Sequence, residues 1–116
     1  MNMEVKRGEL YWVNWGVGEA GEQSGIHPAL IIQNDIGNQH SPNTTVIAWM
    51  TTAPNKSFPF IVNITATESG MPQDGAIDLA FIATIGKHRL GNKCGTLNGD
   101  KMQEVERALK ISLGLQ

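Results

Sequence analysis

Apolar residues alternate with polar ones, or run together briefly, in several short segments of this chain, and they recur at helical spacing in only one. In ELYWVNW, residues 9 to 15, Leu10 and Trp12 with Asn14 point one way and Tyr11, Val13 and Trp15 the other. Its aromatic and β-branched content marks it as a strand. PALIIQN (28 to 34) is a continuous apolar run of strand length, opened by Pro28, which a first strand position tolerates. TTVIAWMT (44 to 51), FIVNIT (60 to 65) and AIDLAFIATI (76 to 85) read as further strands, the last one bent at its end. Between them, WGVGEAGEQSG (15 to 25) is a glycine-bearing loop, DIGNQHSPN (35 to 43) is turn-rich and APNKSFP (53 to 59) is a hairpin loop. ESGMPQDG (68 to 75) is a loop, and GKHRLGNKCGTL (86 to 97) is a connection with at most a short turn or strand.

The long helix is DKMQEVERALKISLGL, residues 100 to 115. Asp100 is an N-cap candidate with Gln103 completing a capping box, and Gly114 is a stop. Met102, Val105, Leu109 and Ser112 or Leu113 form an apolar stripe that predicts packing on the sheet. Five or six short strands followed by one helix exclude a doubly wound sheet. They predict one domain over residues 1 to 116, mainly β with a C-terminal helix: a small, partly closed antiparallel β barrel.

The composition narrows the function. The net charge is −2, which disfavours nucleic-acid binding through a general basic surface but leaves room for a local basic site. Cys94 is the one cysteine, so neither an internal disulfide nor a multi-cysteine metal site is possible. The start, MNMEVKRGEL, lacks the apolar core of a signal peptide, and ALII and AFIATI are too short to span a bilayer. A cytoplasmic protein with no membrane association is expected.

Several residues invite chemistry. GVGEAG (16 to 21) matches a dinucleotide fingerprint, but a strand follows where the helix is required, and Glu19 and Glu22 would repel phosphate. His27 stands where the loop meets the second strand. A lone histidine is usually structural or solvated, although an imidazole with its ordinary pKa near ~6.5 can move protons. His40 reads as surface. Lys87, His88 and Arg89 form a basic turn, solvated or anion-holding. Trp15 is core or a stacking surface for a base, whereas Trp12 and Trp49 read as core. No pair of histidines has metal spacing, so no metal and no cofactor is expected.

The order of RGELYWVNW, GEQSGIHPALIIQNDIGNQHSP, the strand ending at Thr51, ATIGKHRLG and MQEVERALKISLGL resembles one family along essentially the whole chain. It is that of the MazF/PemK toxins of bacterial toxin–antitoxin pairs. The resemblance implies a homodimeric, SH3-like barrel of the MazF/CcdB type. It also implies a metal-independent endoribonuclease that cuts single-stranded RNA at short motifs, held in check by a MazE-like antitoxin. Positions 27 and 51 are then the catalytic places. Trp15, Gln23, Ser24, Thr52, Lys56, Thr84, Lys87 and Arg89 are the expected RNA contacts. The chain departs from the pattern at Gly25-Ile26-His27-Pro28, where relatives carry arginine before the proline. It departs again at Ala83 and Gly86, in place of arginine and aspartate, and at Ala80, where glutamate is common. Histidine can take over proton transfer but not the permanently charged guanidinium fork. A toxin-like binding module without cleavage, or a gyrase poison of the same fold, are the competing readings.

Overall fold

A computed structural model describes residues 4–16, 25–52 and 57–116. Six strands form one antiparallel sheet: β1 (Glu9–Asn14), β2 (Ile26–Ile31), β3 (Thr44–Thr51), β4 (Ile61–Ile64), β5 (Gly75–Gly86) and β6 (Leu90–Thr96). Their spatial order is β4-β5-β3-β2-β1-β6. Three helices accompany them: α1 (Asp35–His40), α2 (Ala66–Ser69) and α3 (Gly99–Leu113). The sheet curls until its edges approach. Helix α2, which follows β4 at one edge, lies on β6 at the other: a Cβ on Gly70 would strike the Cys94 carbonyl oxygen, and one on Gly95 the Ser69 carbonyl oxygen. Only glycine lets two backbones meet so closely. The expected partly closed barrel is what forms.

Both faces of the sheet bury apolar side chains, as the two sets in β1 foretell. Leu10, Leu30, Met50, Ile77 and Leu79 join Val105 and Ala108 of α3 in one cluster, with Trp12, Met102 and Leu109 packed against it. Tyr11, Val13, Ala29, Ile31, Ile47, Ile85 and Leu90 form the second, against which Trp15 and Ala83 pack. Each fully buried leucine or isoleucine contributes roughly 1.5–3 kcal/mol relative to exposure. The helix stripe therefore does pack on the sheet, although Leu113 at its end is exposed.

Five expectations need correction. The turn-rich 35 to 43 contains helix α1, capped by Asn34, whose side chain accepts from the Gly37 N–H. The loop after β4 opens with α2, a capping box in which Thr65 and Glu68 satisfy each other's backbone N–H groups. The connection at 86 to 97 is a 3-10 turn (Lys87–Arg89) and then the full strand β6, paired with β1. The segment between β3 and β4 is no hairpin, because the 12-residue β5 lies between them and pairs with both. Helix α3 starts at Asn98, which accepts from the Lys101 N–H; Asp100 sits in the first turn instead, where its charge suits the helix dipole.

A buried pair, Tyr11 and Glu9, ties the stability of the fold to pH. Tyr11 donates to Glu9 Oε1 at 3.1 Å, and Lys93 Nζ holds Glu9 Oε2 at 2.7 Å. Burial first, then the neighbouring carboxylate and the hydrogen bond to it, push the Tyr11 phenol up to about 12. Burial also raises Glu9, but the bonds from Lys93, the Lys6 N–H and Tyr11 outweigh it and leave the carboxyl below its usual value. A raised phenol contributes stability that is complete below the unfolded value and is lost as pH climbs to the folded one. From pH 10 to 12, urea stability is therefore expected to fall by up to about 1.4 kcal/mol per pH unit beyond the trend of Tyr11→Phe. Parallel curves for the two proteins would remove Tyr11 from the account. For Glu9 the sign is opposite: its contribution is present above the ordinary carboxylate range and fades as pH falls through the lowered folded value.

Candidate functional site

The β1–β2 junction is fixed by its stems. Trp15 N–H donates to the Gly25 carbonyl at 2.8 Å and Gly25 N–H to the Gly16 carbonyl at 2.9 Å, with both glycines at positive φ. This closure starts β2 at Ile26, two residues before Pro28, so His27 lies within the strand rather than in the loop. His27 pairs with Val13 of β1. The β2–β3 register runs Ala29↔Trp49, Leu30↔Ala48 and Ile31↔Ile47. Continued by two residues, it sets His27 across from Thr51. Thr51 in turn pairs with Ala76, Ala76 with Asn63, and Val13 with Leu90. One rung of the sheet thus crosses all six strands and carries His27 and Thr51 at its centre, both half-buried.

Aromatic rings stand beside this rung: Trp49 on the next rung of the same face, Trp15 just past the end of β1 and Phe81 on β5. The His27 ring lies 4.5 Å from the Trp49 ring, centroid to centroid. Trp15 stands 5.7 Å from Trp49, and Phe81 stands 5.8 Å from Trp49 and 6.4 Å from Trp15. Trp49, read from the sequence as core, is instead only half-buried and touches the imidazole. Phe81 reaches this group through an irregularity in β5. The ladder with β3 steps from Ala48↔Ile82 to Trp49↔Asp78, so residues 79 to 81 bulge out of it. The bend falls in the middle of β5 rather than at its end. Bulges of this kind re-aim side chains beside functional sites. Trp15 Nε1 is buried and has no hydrogen-bond partner among the described residues. An imidazole, a hydroxyl and tilted rings on one face of the sheet can together transfer a proton, donate to an oxyanion and stack a base.

The other expected contacts scatter. Thr52 is exposed at the end of β3 and Thr84 is exposed on β5, paired with Val46, whose side chain packs on the opposite face from His27. Lys87 is buried, and its Nζ donates to the Asn38 carbonyl at 2.8 Å. It follows Gly86, which pairs with the first residue of β3, whereas Thr51 is the last. Lys87 also lines a depression of about 570 Å³ with Glu4, Lys6 and Asp35. Arg89 donates to the Asn14 carbonyl at 3.1 Å, beside Trp15, and lines a groove of about 450 Å³ with Trp12, Ile26 and His88. Gln23, Ser24 and Lys56 lie outside the described residues. No group of three or more His, Cys, Asp or Glu among the described residues is arranged to hold a metal ion. No helix among them is long and apolar enough to cross a membrane.

Comparison with known proteins gives these features a setting. Residues 6–113 match the family described as PemK-like, MazF-like toxin of type II toxin-antitoxin system. The chain is 41% identical over 113 residues to a Bacillus subtilis (strain 168) protein named Endoribonuclease EndoA, with 97% of each chain covered. Its fold superposes with a TM-score of 0.80 and 28% identity on an endoribonuclease in complex with its cognate antitoxin from mycobacterial species, again over 97% of both chains. MazF of Deinococcus radiodurans superposes with a TM-score of 0.78 over 98% of this chain and 100% of that one, and at 22% identity this likeness concerns the fold.

Proposed function

Since the chain belongs to the PemK/MazF family of toxins from type II toxin–antitoxin systems, we propose that it is a metal-independent endoribonuclease that cuts single-stranded RNA at short sequence motifs. The observation that carries the reading is the shared rung: the register sets His27 beside Thr51, and His27 packs against the tilted rings. The RNA's own 2′-hydroxyl attacks the adjacent phosphorus. His27 transfers a proton, Thr51 donates to a phosphate oxygen, and Trp15 offers a ring face to a neighbouring base. The 2′-oxygen–phosphorus bond forms as the phosphorus–5′-oxygen bond breaks, leaving a 2′,3′-cyclic phosphate and a 5′-hydroxyl.

The test is digestion of a long single-stranded RNA in EDTA with mapping of the new ends. Cuts at a recurring short motif with cyclic phosphate and 5′-hydroxyl ends are expected. Cuts that leave a 5′-phosphate, or that vanish in EDTA, would refute the mechanism. Ala83, packed against the second core cluster where relatives carry arginine, favours a second reading in which the fold binds but does not cut. RNA left whole by the wild type is the outcome that would install it.

The partners proposed are RNA, a second copy of the chain and a MazE-like antitoxin whose acidic segment folds on binding in the cytoplasm. The mycobacterial relative bound to its cognate antitoxin supports the last of these. Ile111, Leu113 and Leu115 are exposed near the chain end, apolar surface suited to a second copy. On twice the 12.6 kDa chain, light scattering at micromolar concentration is expected to give about 25 kDa, since two-fold pairing is the commonest assembly. A mass near one chain would exclude the dimer.

A further inference from the structure

Resting on the ribonuclease reading, we propose that Asp78 is the general base of the reaction, taking the 2′-hydroxyl proton while His27 protonates the departing 5′-oxygen. Asp78 pairs directly with Trp49, and residues paired across an antiparallel ladder share a face. Its neighbour Ile77 pairs with Met50, and both lie in the α3-side cluster, so Asp78 lies on the other face, the one that carries His27 and Thr51. The bulge at 79 to 81 starts just beyond it. Ala80 N–H donates to Asp78 Oδ1 at 2.9 Å, which fixes the carboxylate and leaves Oδ2 with no hydrogen bond among the described residues. The carboxylate is half-exposed, so substrate can reach it.

The spacing suits two proton-transfer groups working on opposite sides of one phosphodiester. His27 on β2 and Asp78 on β5 are separated by β3, two interstrand intervals across and two residues along, or about 12 Å between backbones. Both stand on one face of the sheet, with Thr51 and the Trp49 ring on the strand between them. In the forward step the 2′-hydroxyl proton passes to Asp78 Oδ2, the 2′-oxygen–phosphorus bond forms, the phosphorus–5′-oxygen bond breaks, and the imidazolium proton of His27 goes to the 5′-oxygen. Solvent returns both groups to their starting protonation. No other reactant is consumed.

Asp78→Asn keeps the oxygen that receives the Ala80 N–H and removes only the basicity. It is expected to lower kcat by roughly 10²-fold or more. Affinity for a 2′-deoxy oligonucleotide should stay within about twofold, since the lost interaction belongs to the transition state. A substrate whose scissile 5′-oxygen is replaced by sulfur separates the two roles, because a thiolate leaves without a proton. That substrate should restore cutting by His27→Ala but not by Asp78→Asn. Restoration of Asp78→Asn instead would reverse the roles and overturn the assignment. Cleavage of ordinary RNA by Asp78→Asn at the wild-type rate, with an unchanged pH profile, would overturn it while leaving the ribonuclease reading intact. A wild type that leaves RNA whole would overturn both.

Discussion

His27→Ala is expected to lower RNA cleavage in EDTA by roughly 10²- to 10⁴-fold, the range a positioned proton donor or acceptor contributes. The imidazole lies within the rung that carries Thr51 and against the ring of Trp49. Loss of packing could also weaken the site, so a second variant separates packing from chemistry. His27→Phe keeps a ring on Trp49 and carries no proton to give, so it should be as inactive as alanine. A phenylalanine variant as active as the wild type would make position 27 a packing position. His27→Arg asks a different question. Arginine supplies a planar, permanently charged fork suited to phosphate but is a poor proton carrier near neutral pH. With a catalytic histidine, the arginine variant cuts more slowly than the wild type. An inert wild type rescued by arginine would mean that the natural chain has lost the reaction and kept the fold.

The fold was legible wherever side-chain periodicity is local. The alternation in ELYWVNW predicts both buried faces of β1, and the stripe in α3 predicts its seat on the core. Strand β6, LGNKCGT, was not legible as a strand because it is a largely polar edge strand with two glycines, one of them needed for the contact with α2. Its pairing comes from β1, and its own residues give no sign of it. Helix α2 did carry a local signal, since Thr65 and Glu68 have capping-box spacing. At the candidate site, His27 and Thr51 stand out in the sequence through their places in the family pattern. Trp49, Asp78 and Phe81 do not, because they sit inside apolar runs typical of core. Only the β3–β5 register and its three-residue bulge place them on the histidine's face of the sheet. Register is a property of pairs of strands, which no single segment declares.

Asn38→Ala is expected to destabilise the chain by about 2–4 kcal/mol, because single buried polar groups left unpaired cost about 1–3 kcal/mol each. Helix α1 has six residues with Gly37 among them, too short to hold itself together in water. Buried Asn38 anchors it. Its Nδ2 donates to the Gln33 carbonyl at 3.0 Å and to Asp35 Oδ1 at 3.3 Å. Its Oδ1 accepts from Thr45 Oγ1 at 2.6 Å and from Gln33 Nε2 at 3.1 Å. Alanine strands the hydroxyl of Thr45, which is fully buried on β3, and frees α1 from the sheet. With a urea slope of about 1–3 kcal/mol per molar, the midpoint should drop by roughly 1–2 M. Asn38→Asp keeps the acceptor for Thr45 but loses the donor to Gln33 and places a charge near Asp35, so it should also destabilise. A midpoint for Asn38→Ala within the error of the wild type would mean that α1 is held by its cap alone. Cleavage per folded molecule should survive the substitution, since Asn38 contacts neither His27 nor the rings around it. Stability and activity would then fail at separate positions, as they must if a helix hidden in a turn-like sequence supports the sheet while the sheet face around His27 and Thr51 does the chemistry.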